Sequence, residues 1–283
     1  MFVPQYPKHY SSVLFRFKKS NIGVAMKKFY SWTLIIVIIL CTFSCGLLIF
    51  TFDPNGKTKD DNASGDNIQI EQEIDWSNVT ISCLGDSITY GQTIGKAYPS
   101  VLQDILGTKT CLNYGIGWST CAVVNDCTCH SGVTNAHNAM CARYSQIAKS
   151  SDIIAVMCGV NDQGLAPLGN IEDTGSNTFY GSMNILCSGL KSKYSNSYIF
   201  FMTSFAYDNC NDLGAMGVVR KEYYHTAVKQ VCEKYDIDVF DTFAKIDFST
   251  TRDTTDNVHP NQNFVTNVWT PQIAQFIKDN YKK

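Results

Sequence analysis

The sequence has no excess of positive charge after residue 52, and this absence disfavours a nucleic-acid partner. Six of the 23 Lys and Arg residues and none of the 25 Asp and Glu residues lie in residues 1–52, so the remainder carries a net charge of −8. A domain with this net negative charge repels the phosphate backbone of a nucleic acid. Internal repeats and low-complexity arrays are also absent. The length therefore indicates one domain of about 200 residues with a modest appendage.

Charged side chains are absent from the apolar run Trp32 to Phe52. As a helix this run would cross the roughly 30 Å of hydrocarbon in a bilayer. Basic residues dominate before it, so the positive-inside rule predicts a cytoplasmic segment at 1–31, a membrane anchor at 32–52 and export of the rest. The alternative is a cleaved signal peptide that starts at Met26, but the run lacks an A-x-A-like cleavage site and is longer than a usual signal core. Residues 53–75, rich in Asp, Asn, Gly and Lys, predict a flexible stalk.

The cysteines of the segment 118–140 show no C-x2-C spacing, although cysteines and histidines are dense there. This segment fits neither a helix nor a strand and is interpreted as an insertion loop with Cys121, Cys127, Cys129, His130 and His137, followed closely by Cys141. Irregular spacing disfavours a zinc site, and no metal or other cofactor is expected. Disulfides are the simpler use of cysteine in an exported loop, with free thiols as the alternative, and no pairing follows from the sequence.

Apolar runs alternate with helical patterns along residues 76–283, which form the predicted catalytic domain. The predicted strands are 79–84, 110–114, 152–158, 198–203 and 238–240, and the predicted helices are about 97–106, 179–194, 218–235 and 264–281. Such alternation indicates βαβ units with a parallel sheet and helices on both faces. Cysteines 83, 158, 187 and 232 fall within these elements as small buried hydrophobes. His225 lies three residues after Glu222 on a predicted helix and is interpreted as structural or solvated.

Three short sequence blocks carry four polar residues in a pattern that suits acyl transfer. Ser87 comes directly after the first strand, within Gly-Asp-Ser-Ile-Thr, and Asp256 precedes His259 by three residues. A serine nucleophile needs a base within hydrogen-bond reach and a carboxylate that orients the base. Asn161, in Gly-Val-Asn-Asp after the third strand, offers an amide that can donate to an oxyanion.

With these residues the chain from about 78 to 280 resembles the SGNH hydrolases, also called the GDSL esterase/lipase superfamily. The resemblance implies that Ser87 is the nucleophile, His259 the base and Asp256 the acid. It also implies an oxyanion hole formed by the backbone N–H of Ser87, a backbone N–H of a second block and Asn161. The second block matches residues 113–120, where the family usually has glycine five residues after its asparagine and this chain has Trp118. The resemblance thus assigns the second backbone N–H of the oxyanion hole to Trp118.

The position of Ser87 on the first strand-to-helix turn predicts a three-layer α/β/α, flavodoxin-like sandwich with a central parallel five-stranded sheet. Ligands of such folds bind outside the carboxyl ends of the strands. The Gly-x-Ser-x-Gly nucleophile elbow of the α/β-hydrolase fold occurs nowhere in the chain.

The expected activity is hydrolysis of acyl esters, most simply acetyl esters of a glycan, outside the cytoplasm. The alternatives are a lipase, a lysophospholipase or a thioesterase of the same fold, an acetyltransferase, and a non-catalytic glycan-binding surface protein. The polar 118–140 segment differs from the broad apolar lid of a lipase. The expected partner is therefore an acetylated polysaccharide, with the membrane bound through the N-terminal helix.

Overall fold

The computed structural model describes residues 73–124, 138–209, 212 and 221–282. The predicted cytoplasmic segment 1–31, the predicted anchor 32–52, most of the predicted stalk and the cysteine-rich residues 125–137 lie outside these ranges. Within the described ranges, none of the helices combines the length and the apolar character that a membrane span requires.

A five-stranded parallel sheet forms the centre of the domain, as the alternating pattern predicts. Its strands are β1 Thr80–Gly85, β2 Thr110–Gly115, β3 Ile153–Met157, β4 Tyr198–Met202 and β5 Asp238–Phe240. They lie in the order β2-β1-β3-β4-β5, and every pairing is parallel. This is the strand order of flavodoxin-like folds, in which ligands bind where the order reverses between β1 and β3.

Helices connect the strands and continue after the last one. Their bounds are α1 Ser87–Tyr90, α2 Tyr98–Leu106, α3 Met140–Arg143, α4 Asp162–Leu165, α5 Phe179–Lys193, α6 Glu222–Lys234, α7 Thr242–Lys245, α8 Thr250–Asp253, α9 Gln262–Phe264 and α10 Thr270–Asn280. Short 3₁₀ turns lie at Trp76–Asn78 and Tyr144–Gln146.

Two apolar layers cover the two faces of the sheet, because alternate residues of each buried strand point to opposite sides. Ile153, Ala155 and Met157 of β3 pack in one layer with α2 and α10. Ile154 and Val156 pack in the other layer with α5 and α6. The fold is therefore the expected α/β/α sandwich.

The C-terminal helix differs from its prediction in one respect. The continuous pattern at 264–281 is divided into α9, a π-helical turn at Val265–Trp269 and α10. Pro271 in the first turn of α10 has no N–H to donate to the preceding turn. The Thr270 hydroxyl donates to the Val265 carbonyl over 2.6 Å, and the wider turn accommodates both features.

Candidate active site

Ser87 is the first residue of α1 and lies at the carboxyl end of β1, an inner strand beside the central β3. Asp86 caps the helix by accepting the Ile88 N–H over 2.9 Å. Gly85 allows this sharp turn, because a Cβ there would lie 2.0 Å from the Thr89 hydroxyl oxygen. The backbone N–H of Ser87 lies outside the hydrogen-bond ladder of α1, since the first turn of a helix has no intrahelical acceptors.

His259 lies between Ser87 and Asp256 and is hydrogen-bonded to both. Its Nε2 is 2.9 Å from the Ser87 Oγ, and its Nδ1 is 2.7 Å from an Asp256 carboxylate oxygen. The two contacts join a hydroxyl, an imidazole and a carboxylate by hydrogen bonds. Ser87 and His259 are 172 positions apart in the chain. Ser87 and His259 are both buried.

A tight turn gives Asp256 and His259 their relative positions. Asn257 adopts a left-handed backbone with φ of 66°, a conformation that asparagine tolerates better than most residues. The His259 carbonyl accepts the Thr255 N–H over 2.9 Å. The buried Tyr207 hydroxyl donates to the Val258 carbonyl over 2.7 Å and ties the turn to the segment after β4.

The Asp256 carboxylate is held in its charged form. Partial burial acts to raise its pKa, but the backbone N–H and ring of His259 and the Val258 N–H lower it, and the balance leaves the pKa below its usual value. The His259 N–H donates to Asp256 over 2.8 Å. A carboxylate that stays ionised can keep the imidazole proton on Nδ1 and leave Nε2 free to accept from Ser87.

Asn161 lies at the start of α4, after β3, and reaches the loop that follows β2. Its side-chain amide donates to the Ser119 carbonyl over 3.0 Å. An amide nitrogen carries two donors, so a second N–H remains for another acceptor. Asp162, the next residue, is buried and accepts the N–H groups of Cys121 and Ala122, each over 2.9 Å. The two residues together fix the loop 118–122.

Asp162 and Asp86 are carboxyl groups buried close to this site. Burial raises the pKa of Asp162 to about 6, although the N–H groups of Ala122 and Cys121 oppose the rise. Burial also raises the pKa of Asp86 to about 7. Neither carboxyl lines the cavity at Ser87, so both act on the backbone of the site.

Trp118 has a backbone conformation that normally belongs to glycine. Its φ is 64°, in the left-handed region that costs residues with a Cβ roughly 1–2 kcal/mol. This is the position at which SGNH hydrolases usually have glycine. The side chain is 40 % exposed and lines the same cavity as Ser87 and His259.

The cavity at these residues has a volume of about 460 Å³. It brings together all five residues that the sequence predicts for the site. Its lining consists of Ser87, Gln92, Trp118, Val160, Asn161, Gln163, Gly164, Leu165, Tyr207, Asn209, Lys221, Asp256, Asn257, Val258 and His259. The volume lies in the range typical of small-molecule sites.

His225 and several cysteines occupy structural positions. His225 is buried rather than solvated: its Nδ1 lies 3.3 Å from the Ser204 hydroxyl and its Nε2 lies 3.5 Å from the Gln163 amide nitrogen. Burial lowers its pKa to about 4. The four cysteines predicted as small hydrophobes are buried free thiols, and Cys121 and Cys141 are also buried and free. Cys127, Cys129, His130 and His137 lie outside the described residues, which contain no cluster able to hold a metal ion.

Three residues of this region were not assigned a role from sequence. Tyr207 holds the turn of Asp256 and His259, Asp162 holds the loop after β2, and Arg143 donates to the carbonyl of Gly85 just before Asp86 and Ser87. Asp162 belongs to the same Gly-Val-Asn-Asp block as Asn161, so the sequence carries a signal for it. Tyr207 and Arg143 lie outside every sequence block and carry no local signal.

Solved structures with the same fold come from several bacteria. A structural-genomics protein from Lactobacillus plantarum is 25 % identical, with a TM-score of 0.62 over 72 % of this chain and 99 % of that chain. A possible lipase from Chitinophaga pinensis is 18 % identical, with a TM-score of 0.56 over 71 % and 98 %. An aryl esterase from M. smegmatis, in an inhibitor-bound form, is 14 % identical, with a TM-score of 0.52 over 72 % and 100 %. Among curated protein sequences none matches the chain.

A family model gives the family directly. Residues 83–263, more than half of the chain, match the GDSL-like Lipase/Acylhydrolase family. The matched range contains Ser87, Asn161, Asp256 and His259, which the fold gathers in one cavity. This chain therefore belongs to the GDSL-like lipase/acylhydrolase family, within the SGNH hydrolases, and is a serine hydrolase of ester bonds.

Proposed function

We propose that Ser87, His259 and Asp256 form the catalytic triad of an acetylesterase that acts on a glycan outside the cytoplasm. The observation that carries the catalytic assignment is the pair of short contacts from His259, 2.9 Å to the Ser87 Oγ and 2.7 Å to Asp256. Both lie within the hydrogen-bond range that a nucleophile and its base require.

In the proposed reaction the Ser87 Oγ attacks the ester carbonyl while Nε2 of His259 takes its proton. The backbone N–H groups of Ser87 and Trp118 and the amide of Asn161 donate to the developing oxyanion. His259 then returns the proton to the departing alcohol, and water cleaves the acyl-enzyme with His259 again as base. Each oxyanion donor is commonly worth about 3–4 kcal/mol in the transition state.

The catalytic assignment is tested by replacing the nucleophile. Ser87→Ala should lower kcat on 4-nitrophenyl acetate by a factor of about 10⁴ or more, and a fluorophosphonate probe should no longer label the protein. Ser100→Ala, an exposed serine on α2, is the matched control and should retain both properties. Activity of Ser87→Ala within tenfold of the parent would refute the assignment.

Most of the cavity surface is apolar, and several polar side chains on it suit a polar alcohol. Gln92, Asn209 and Asn257 present side-chain amides to it, Lys221 a cation and Trp118 an exposed indole. Amides hydrogen-bond hydroxyl groups well, and an aromatic face can pack against a sugar ring.

The substrate is tested by comparing acetate release from acetylated glycans with the hydrolysis of long-chain esters. An acetylesterase of this kind should release acetate from at least one glycan and prefer 4-nitrophenyl acetate to 4-nitrophenyl laurate in kcat/KM. Preference for the laurate, or cleavage of lysophospholipid at a comparable rate, would favour the lipase alternative.

The proposed location rests on the N-terminal charge pattern. Six basic residues and no acidic ones lie in residues 1–52, and the apolar run 32–52 is uncharged. A retained anchor at 32–52 would leave residues 1–31 in the cytoplasm and hold residues 76–283 outside on the stalk 53–75. Such an enzyme would meet polysaccharides of the cell wall or the surroundings.

A further inference from the structure

Arg143 is a buried arginine whose guanidinium is directed entirely at neutral acceptors. It ends α3 and is 3 % exposed. Its Nε donates to the Asn138 carbonyl over 2.8 Å, Nη1 to the Tyr114 carbonyl over 2.7 Å, and Nη2 to the Gly85 carbonyl over 2.7 Å. Nη2 also lies 3.1 Å from the Ser119 hydroxyl.

Arg143 makes no ion-pair contact within 4 Å among the described residues, although the buried Asp86 carboxyl interacts with its charge at longer range. Burial lowers its pKa to about 10, so the side chain remains cationic at neutral pH. A buried cation without a carboxylate in direct contact is costly unless its N–H groups are satisfied. Four of the five donors of the fork are used here, which indicates that the fork geometry is the reason for its presence.

Three of the four acceptors of Arg143 lie on the segments that carry the proposed oxyanion donors. Gly85 ends β1, two residues before Ser87, and Tyr114 lies at the carboxyl end of β2. Ser119 is the residue after Trp118. One planar group therefore links the end of β1, the end of β2 and the loop that holds the left-handed Trp118.

Ser119 is held from three sides. Its hydroxyl accepts from Arg143 and donates to the Asn138 carbonyl over 2.6 Å, and its own carbonyl accepts from the Asn161 amide over 3.0 Å. Arg143 thus holds the Ser119 side chain and Asn161 holds the Ser119–Thr120 peptide, directly after Trp118.

We propose that Arg143 is a positioning residue of the oxyanion hole: it fixes the Ser87 and Trp118 backbone N–H groups relative to each other. This inference rests on the oxyanion hole of the proposed function. Oxyanion donors stabilise the transition state more than bound substrate. Loosening them should therefore lower kcat and leave KM nearly unchanged.

Arg143→Lys is the first test, because lysine keeps the charge and loses the planar fork. On 4-nitrophenyl acetate its kcat should fall by about 10²-fold, with KM within about threefold of the parent. Its inhibition constant for a boronic acid, which forms a tetrahedral adduct with an active serine, should rise by a similar factor. Arg143→Ala should regain part of its kcat in millimolar guanidinium and none in equimolar sodium chloride.

Two further variants separate positioning from general loss of structure. Leu102→Ala removes a buried side chain from the layer of α2, so its Tm should fall while kcat and the boronate constant stay near the parent values. Ser119→Ala removes the hydroxyl that Arg143 reaches and should lower kcat by about three- to tenfold, even if the Arg143 variants do not fold.

The outcomes distinguish a failure of the Arg143 role from a failure of the proposed function. If Ser87→Ala is inactive while Arg143→Lys and Ser119→Ala keep the parent kcat and boronate affinity, the role of Arg143 is refuted and the triad stands. If Arg143→Lys lowers Tm but keeps kcat and the boronate constant near the parent values, as expected for Leu102→Ala, Arg143 is a structural residue. An active Ser87→Ala would refute the proposed function itself.

Discussion

Replacing Trp118 with glycine and with alanine separates the backbone of this residue from its indole. Both changes remove the side chain that lines the cavity, and both keep the N–H proposed for the oxyanion hole. They differ in backbone strain, because φ is 64° at this position. Alanine retains the left-handed penalty of roughly 1–2 kcal/mol that glycine avoids.

The backbone strain at residue 118 predicts a difference in Tm between the two variants. A difference of about 1 kcal/mol corresponds to about 2–4 °C in Tm for a domain of this size, so Trp118→Gly should melt at a higher temperature than Trp118→Ala by that amount. Trp118→Gly should also keep most of its kcat on 4-nitrophenyl acetate, because the donor and its backbone conformation are retained.

The indole should matter only for the larger substrate. If it packs against a sugar ring, both variants should raise KM on an acetylated glycan by about fivefold, the equivalent of about 1 kcal/mol, and should change KM on 4-nitrophenyl acetate much less. Initial rates on both substrates and thermal unfolding of the three proteins provide the measurement.

Three results would contradict these expectations. Equal Tm values for Trp118→Gly and Trp118→Ala would show that backbone strain at residue 118 is negligible. Equal changes of KM on the glycan and on the small ester would eliminate the stacking role. Complete loss of activity in both variants would mean that the indole holds the loop in place.

Further predictions concern the amide donor, the buried histidine, the cation of the cavity and the topology. Asn161→Ala should lower kcat by roughly 10²–10³ on small and large esters alike, because it removes a transition-state donor; an unchanged kcat would exclude that role. Burial lowers the pKa of His225 to about 4, so the neutral ring stabilises the fold above about pH 6.5 and this contribution is lost as the pH falls towards 4. In urea titrations the parent should therefore lose about 2 kcal/mol more stability than His225→Gln between pH 7 and pH 5, and parallel losses would contradict the lowered pKa. Lys221→Gln should raise KM severalfold on an acetylated glycan that carries carboxylates and leave KM on a neutral one unchanged, whereas Lys149→Gln, at an exposed position before β3, should affect neither; equal effects of Lys221→Gln on both glycans would exclude a charge-based role. Protease added to intact spheroplasts should remove the catalytic domain, and protection of the domain would contradict the proposed orientation.

Sequence periodicity was sufficient for the fold because the inner strands β1, β3 and β4 are buried on both faces. Such strands appear as continuous apolar runs, and each predicted run coincides with one strand of the sheet to within two residues. Pro271 is the exception: the apolar pattern continues across it, but its missing N–H divides the last helix. The roles of Asn161 and Asp256 were also predicted from the sequence. Asn161 lies in a short block after an apolar run, and Asp256 lies three residues before His259.

Tertiary structure decided what depends on contacts between distant segments. The 2.9 Å approach of His259 to Ser87 exists only because the last loop returns to the carboxyl end of β1. The role of Arg143 arises from three carbonyls that lie far apart or irregularly along the chain and meet at one guanidinium, a geometry that leaves no periodic trace in the sequence. The left-handed backbone of Trp118 is of the same kind, because the sequence alone favours an ordinary conformation for a bulky residue and the surrounding loop imposes another.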